Sequence, residues 1–185
     1  MQRMRSTILF LLVLGIAIPA AHAVQPTAPP AKTDGVRTLS WEELIPAGYR
    51  PDEIFKKFSK RASKLKDGDP QAQELQKELM SAWSEAPVVA ALHGKQVKLP
   101  GYVIPLEGDG KEVKEFLLVP YYGACIHVPP PPSNQIVFVK AAKAGAKVQK
   151  MFDTVMVTGT LNTTGTATAI AAAGYTLEAT KVEPY

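Results

Sequence analysis

One cysteine among 185 residues excludes an internal disulfide. Cys125 is therefore a free thiol, an intermolecular bridge, a metal ligand or a packed apolar filler, since free cysteine is among the most buried residue types. Histidine is almost as scarce: His22, His93 and His127 are the three present, which leaves few combinations for metal or acid–base chemistry. An excess of charge of either sign is also lacking. The formal net charge is +4, and without residues 1–23, which carry Arg3, Arg5 and no acid, 19 Lys and Arg face 17 Asp and Glu. That balance of +2 gives no support to a nucleic-acid binder, which would be expected to carry a concentrated basic stripe.

Long apolar runs are missing too, with one exception at the start. Arg3 and Arg5 precede an apolar stretch from about Ile8 to Ala20, followed by the small-residue site Ala21-His22-Ala23. This pattern predicts a secretory signal peptide, residues 1–23, cleaved near Ala23, and a periplasmic mature protein. The stretch is shorter than the ~18 residues that a membrane span requires, and no second one follows, so the mature chain is expected to have no transmembrane segment. Residues 24–38, rich in Pro, Ala, Thr and Lys without periodicity, read as a disordered linker. About 150 residues remain, enough for one domain.

Residues 39–92 read as a helical segment. Ser40 with Glu43 forms a capping-box pattern over Trp41 to Leu44. Pro51 suits a first helical residue, and Ile54, Phe55, Phe58, Ala62 and Leu65 recur on one face until Asp67-Gly68-Asp69 ends the helix. Asp69 and Pro70 then start a second helix with Ala72, Leu75, Leu79 and Trp83 on one side. Lys56, Lys57, Lys60, Arg61, Lys64 and Lys66 form a basic run outside the first helix. It reads either as an ordinary solvated face or as a surface for phosphate or anionic lipid.

After His93-Gly94 the period changes from helical to two. Strands are predicted over Val97 to Leu106, bent at Leu99-Pro100-Gly101, and over Phe116 to Val119, Ile136 to Val139, Thr154 to Leu161 and Tyr175 to Val182. A turn is expected at Glu107-Gly108-Asp109-Gly110, a short helical turn within Ala141 to Lys150, and a flexible loop or weak helix over Thr160 to Gly174. The fold class is mainly β with N-terminal helices (α+β): a five-stranded barrel of the oligonucleotide/oligosaccharide-binding (OB) type over residues 93–185, covered by two helices. An open antiparallel sheet packed by the same helices is the alternative, because strand count does not determine closure.

The segment Tyr121-Tyr122-Gly123-Ala124-Cys125-Ile126-His127-Val128 followed by Pro129, Pro130, Pro131, Pro132, Ser133, Asn134 and Gln135 concentrates the scarce chemistry. On an extended backbone Cys125 and His127 point the same way, and the four prolines stiffen the chain beyond them. A thiolate and an imidazole suit zinc or cuprous copper, and His93, Glu107 or Asp109 could complete the ligand set. A second reading makes Cys125 a nucleophile, His127 its base and Asn134 an orienting amide, but no oxyanion hole or third partner is evident. A third makes Tyr121, Tyr122, the proline run, Asn134 and Gln135 a docking ridge of polyproline character. Its bland counterpart is a crossover stiffened by prolines, with Asn134 and Gln135 tying the backbone down.

Together with Leu99-Pro100-Gly101-Tyr102-Val103-Ile104-Pro105-Leu106, Glu115 to Pro120 and Val157-Thr158-Gly159-Thr160-Leu161, the Gly-Ala-Cys-Ile-His-Val-Pro-Pro-Pro-Pro signature resembles a family of secreted bacterial proteins, domain of unknown function 3299. The resemblance runs from about Leu39 to the C-terminus. It implies an envelope location and, through members that look to be encoded beside ABC-type export or metal-handling systems, an envelope transporter or metal-handling protein as partner. It supplies no activity. The expected function is a non-enzymatic periplasmic binding or accessory protein that does not bind nucleic acid and whose expected ligand is a transition metal, zinc or copper, held through Cys125 and His127; the alternatives are a protein-docking module that uses the proline segment without metal, and a Cys-dependent enzyme. The oligomeric state is not set by the sequence.

Overall fold

Alternating or continuous apolar stretches become five strands because only a sheet closed on itself leaves so much β-branched sequence without an open edge. In chain order the elements are β1 (Arg37–Thr38), α1 (Pro51–Ala62), α2 (Pro70–Ser84), β2 (Lys95–Pro105), β3 (Glu115–Val119), β4 (Val137–Lys140), β5 (Thr154–Asn162), β6 (Thr166–Ala167), β7 (Ala172–Ala173) and β8 (Tyr175–Pro184). Short 3-10 turns lie at Trp41–Leu44, Ala90–Leu92 and Ser133–Gln135. The computed structural model describes residues 35–66, 68–106, 112–125, 130–142, 146, 148 and 150–185. The expected signal peptide, most of the linker and the Glu107 to Gly110 turn lie outside the described residues.

The barrel runs β2-β3-β4-β8-β5 and closes through β5 and β2. All pairs are antiparallel except β4 with β8. One long strand makes this possible. Residues Lys95 to Tyr102 of β2 pair with β5, and Tyr102 to Pro105 pair with β3, so the strand belongs to both sides of the ring. The change of partner falls at Tyr102, directly after Pro100-Gly101. A Cβ on Gly101 would sit 2.8 Å from Leu118 Cγ and 2.9 Å from the Val119 carbonyl oxygen, closer than real Cβ atoms come. Glycine is what lets β3 cross β2 here.

Two apolar layers arise from the period of two. Val97, Leu99 and Val103 of β2, Phe116 and Leu118 of β3, and Val137 and Val139 of β4 fill the barrel with Val157, Leu161 and Leu177. The alternate residues Ile104, Leu117, Val119, Ile136 and Phe138 form a second cluster with Ala124, Phe152 and Ala173. β3 and β4 are thus buried on both faces, which is why they read as continuous apolar runs rather than alternating ones.

The helical cover is asymmetric. α2 starts as expected, with Asp69 accepting from the Gln71 N–H at 2.9 Å, and buries Leu75, Leu79 and Trp83. None of the residues of α1 is buried. It lies against α2 through Phe55 stacked on Trp83, with ring centroids 5.8 Å apart, and an Arg61–Glu78 ion pair at 2.9 Å. Tyr175 fastens the segments on either side of the helices to the barrel: its hydroxyl donates to the Leu44 carbonyl at 2.8 Å and accepts from the Val89 N–H at 2.6 Å.

The structure departs from the sequence-based expectation in three places. A disordered linker is expected to run to residue 38, but Arg37 and Thr38 pair in parallel with Val97 and Lys98. Within Ala141 to Lys150, where a short helical turn is expected, Ala146 is bridged to Val113 by backbone bonds of 3.0 and 2.8 Å, while residues 143–145, 147 and 149 lie outside the described residues. Residues 160–174 are more ordered than a loop: β5 extends to Asn162 and a small β6–β7 hairpin succeeds it.

Candidate functional site

The proline segment is anchored before it can present anything. Among the residues of its 3-10 turn, Asn134 Nδ2 donates to the Pro87 carbonyl at 2.8 Å and Gln135 Nε2 to the Trp41 carbonyl at 2.8 Å, while the Ser133 carbonyl accepts from the Gly174 N–H at 2.7 Å. A Cβ on Gly174 would lie 2.9 Å from that same oxygen, so the hairpin end must be glycine. Asn134 is wholly buried at 0% exposure. It therefore belongs to the scaffold, as in the reading in which Asn134 ties the backbone down, and not to the docking ridge that is the other reading of the sequence. Pro131 and Pro132 are buried too, and Pro130 is half-buried. They form a wall rather than a protruding ridge; Pro129 lies outside the described residues.

The premise that Cys125 sits on extended backbone also fails. Its φ is +70°, in the left-handed region, within a turn. The half-buried thiol packs against the outer cluster of Ile104, Leu117 and Phe138. Burial pushes its pKa up to about 11, so at neutral pH it is the thiol and not the thiolate that metals and electrophiles require. His127, Glu107 and Asp109 lie outside the described residues. His93 precedes the start of β2, where the Thr163 N–H donates to its Nδ1 at 3.3 Å. Among the described residues no three His, Cys, Asp or Glu side chains are grouped to hold a metal ion.

What the structure does build beside the prolines is a groove of about 550 Å³. Pro51, Asp52 and Phe55 of α1 and Trp83 of α2 form one side; Pro120, Tyr121, Pro131, Pro132 and Gln135 form the other, with Ile45 between. Phe55 and Tyr121 stand at its rim, 44% and 43% exposed. Burial raises the pKa of the Tyr121 hydroxyl, with the nearby Cys125 adding to it, so the groove's tyrosine is neutral. The Trp83 Nε1 is buried without a hydrogen-bond partner among the described residues. Tyr122, at 69% exposure, lies away from the groove lining and packs on Phe152 with centroids 4.8 Å apart.

The sequence points to one wall of this groove, Tyr121, Pro131, Pro132 and Gln135. It hides the other, because Phe55 and Trp83 fall on helical apolar faces and read as ordinary core. The signal that could have found Phe55 is a mismatch of amounts: α1 offers Ile54, Phe55, Phe58 and Ala62 to a neighbour that can cover only part of them.

The profile of the family described as "Protein of unknown function (DUF3299)" matches residues 41–184. A crystal structure of a DUF3299 family protein from Pseudomonas aeruginosa PAO1 is similar at 42% sequence identity and a TM-score of 0.62, covering 82% of this chain and 97% of that one. No curated protein matches. Among the described residues no helix is long and apolar enough to cross a membrane. With the family profile spanning both the helical cover and the whole barrel, the chain belongs to the DUF3299 family.

Proposed function

We propose that this protein is a non-enzymatic binding module of the bacterial envelope, and that it docks an extended apolar segment of a partner protein in the groove between α1, α2 and the proline wall. The observation that carries this reading is the presence of an exposed Phe55 and an exposed Tyr121 on a cavity of about 550 Å³ that is also lined by Trp83 and prolines. Rings of Phe, Tyr, Trp and Pro offer flat apolar faces that an extended chain can lie against, and their rigidity keeps the entropic cost of binding low. A partner within an envelope transport machine agrees with the resemblance and with the predicted export signal. The high pKa of Cys125 and its turn backbone favour a packing role for the thiol over zinc or copper binding.

Nuclear magnetic resonance mapping with extended apolar peptides from periplasmic segments of envelope transporters tests the reading. Shifts confined to Phe55, Trp83, Tyr121 and their neighbours are expected, with affinity falling ~tenfold or more in the Phe55→Ala, Tyr121→Ala double variant. Both side chains are more than a third exposed, so that variant should keep the fold. Shifts mapping elsewhere, or peptide binding unchanged in the folded double variant, would sink the proposal.

A further inference from the structure

We infer that the outer face of α1 is a lysine platform that rests on an anionic lipid surface. The arrangement of charge on the two helices carries the inference. Lys56, Lys60 and Lys64 succeed one another at a spacing of four, with Lys57 three positions before Lys60, so they share one side of α1 and the turn that extends it. The opposite side carries Ile54, Phe55 and Phe58, and Phe55 meets Trp83 of α2. The lysines therefore point away from the fold.

At α1 the arginines are paired and the lysines of the platform are not, whereas on α2 Lys77 is paired. Arg50 is held by Asp52 and Glu53, each at 3.4 Å, Arg61 by Glu78 at 2.9 Å, and Glu74 takes Lys77 at 2.9 Å. Asp52, Glu53 and Glu78 are thus engaged by arginines, and the ion pairs of the described residues include none of Lys56, Lys57, Lys60, Lys64 and Lys66. All five are exposed.

Residue type also selects the partner. A specific anion held in one geometry favours arginine, whose planar fork makes two directed bonds; a fluid layer of phosphates favours flexible ammonium groups acting as point charges. The arginines beside the platform are consumed within the protein and its lysines are left to solvent. A nucleic acid is a poorer fit, because the charge of the chain beyond residue 23 is nearly balanced at 19 basic to 17 acidic residues. The export signal read in the sequence would deliver the chain to a compartment bounded by membranes. The platform and the groove use opposite sides of α1, so resting on lipid leaves the groove open to a partner.

Co-sedimentation of the full mature chain with vesicles provides the test, comparing phosphatidylglycerol mixed into phosphatidylcholine with phosphatidylcholine alone, at low and at physiological salt. Binding should require phosphatidylglycerol, weaken as salt rises through ~0.15 M, and fall ~fivefold for each lysine removed in the series Lys56→Gln, Lys57→Gln, Lys60→Gln and Lys64→Gln. These surface changes should not disturb folding, and circular dichroism of each variant checks this. Equal binding to both vesicle types would overturn the inference in favour of apolar insertion. Binding to heparin without binding to anionic vesicles would overturn it in favour of an acidic polymer or protein. No binding to either leaves the lysines as a solvated face and ends it. Loss of peptide docking in the groove would not alter any of these outcomes.

Discussion

Gln135 reaches from the proline wall to the helical cover and donates to the Trp41 carbonyl across 2.8 Å, while the Trp41 indole N–H donates to the Pro100 carbonyl, also at 2.8 Å. One tryptophan thus ties the wall of the groove to Pro100 of β2. Gln135→Ala should leave the half-buried Trp41 carbonyl without its partner and cost roughly 1–2 kcal/mol. For a domain of this size that lowers Tm by about 2–8 °C, measurable by calorimetry. The Gln135 side chain also lines the groove, so peptide affinity should fall with it. A variant as stable as the parent would show that the bond does not clamp the wall.

Gly159 marks a register shift in the β5–β8 pairing. A Cβ there would collide with the Glu178 carbonyl oxygen and lie 2.8 Å from Ala179 Cα. Backbone on both sides cannot yield as a flexible side chain could. Gly159→Ala should therefore open the seam between β5 and β8 and destabilise the barrel by more than ~3 kcal/mol, or prevent folding. Denaturant unfolding measures the first outcome and expression in soluble form the second. A shift below ~1 kcal/mol would contradict this geometry.

Cys125 should react slowly. Burial raises its pKa to about 11, so alkylation at neutral pH should proceed well below the rate of an ordinary exposed thiol and rise only as pH climbs toward 11. Stability should track the same group. Because the folded pKa lies above the ordinary value of 9.0, the unfolded chain loses this proton first. The difference in stability between the parent and Cys125→Ser should therefore be flat below pH 9.0 and turn against the parent as pH rises from 9.0 toward about 11. Fast alkylation at neutral pH would restore the reactive-cysteine reading.

The five strands and two helices are legible in the sequence because their signals are local. Val97, Leu99 and Val103 alternate, Phe116 to Val119 run continuously, and Asp69-Pro70 caps and opens a helix. Barrel closure is legible as a solution to the edge problem, although the pairing of β4 with β8 arises only in three dimensions. The site is half legible. Tyr121, Pro131 and Gln135 stand out in sequence, but their partner wall comes from Phe55 and Trp83, far away along the chain. Periodicity assigns such residues to a core and cannot say how much of each face a neighbour covers. Cys125 misleads because an extended reading ignores the turn at Tyr122-Gly123-Ala124, where Gly123 has φ +80° and Cys125 comes next at +70°.

Asn134 offers the sharpest check on whether its segment is scaffold. Its side chain is wholly buried, Nδ2 serves the Pro87 carbonyl, and Oδ1 has no partner among the described residues. Asn134→Asp keeps the shape and replaces the donor with a carboxylate. When ionised, that group would face the Pro87 carbonyl without a compensating donor, at a cost on the order of 3 kcal/mol at pH 7. When protonated, its O–H can donate to Pro87 as the amide does. The folded pKa of the new acid would lie above the unfolded value of ~3.9, so the penalty is absent below that value and grows as pH rises toward the folded pKa. Stability of Asn134→Asp relative to the parent should thus recover as pH is lowered toward ~4, measured by urea unfolding at each pH. A variant that binds peptide more weakly yet unfolds like the parent at every pH would instead place Asn134 on the binding surface.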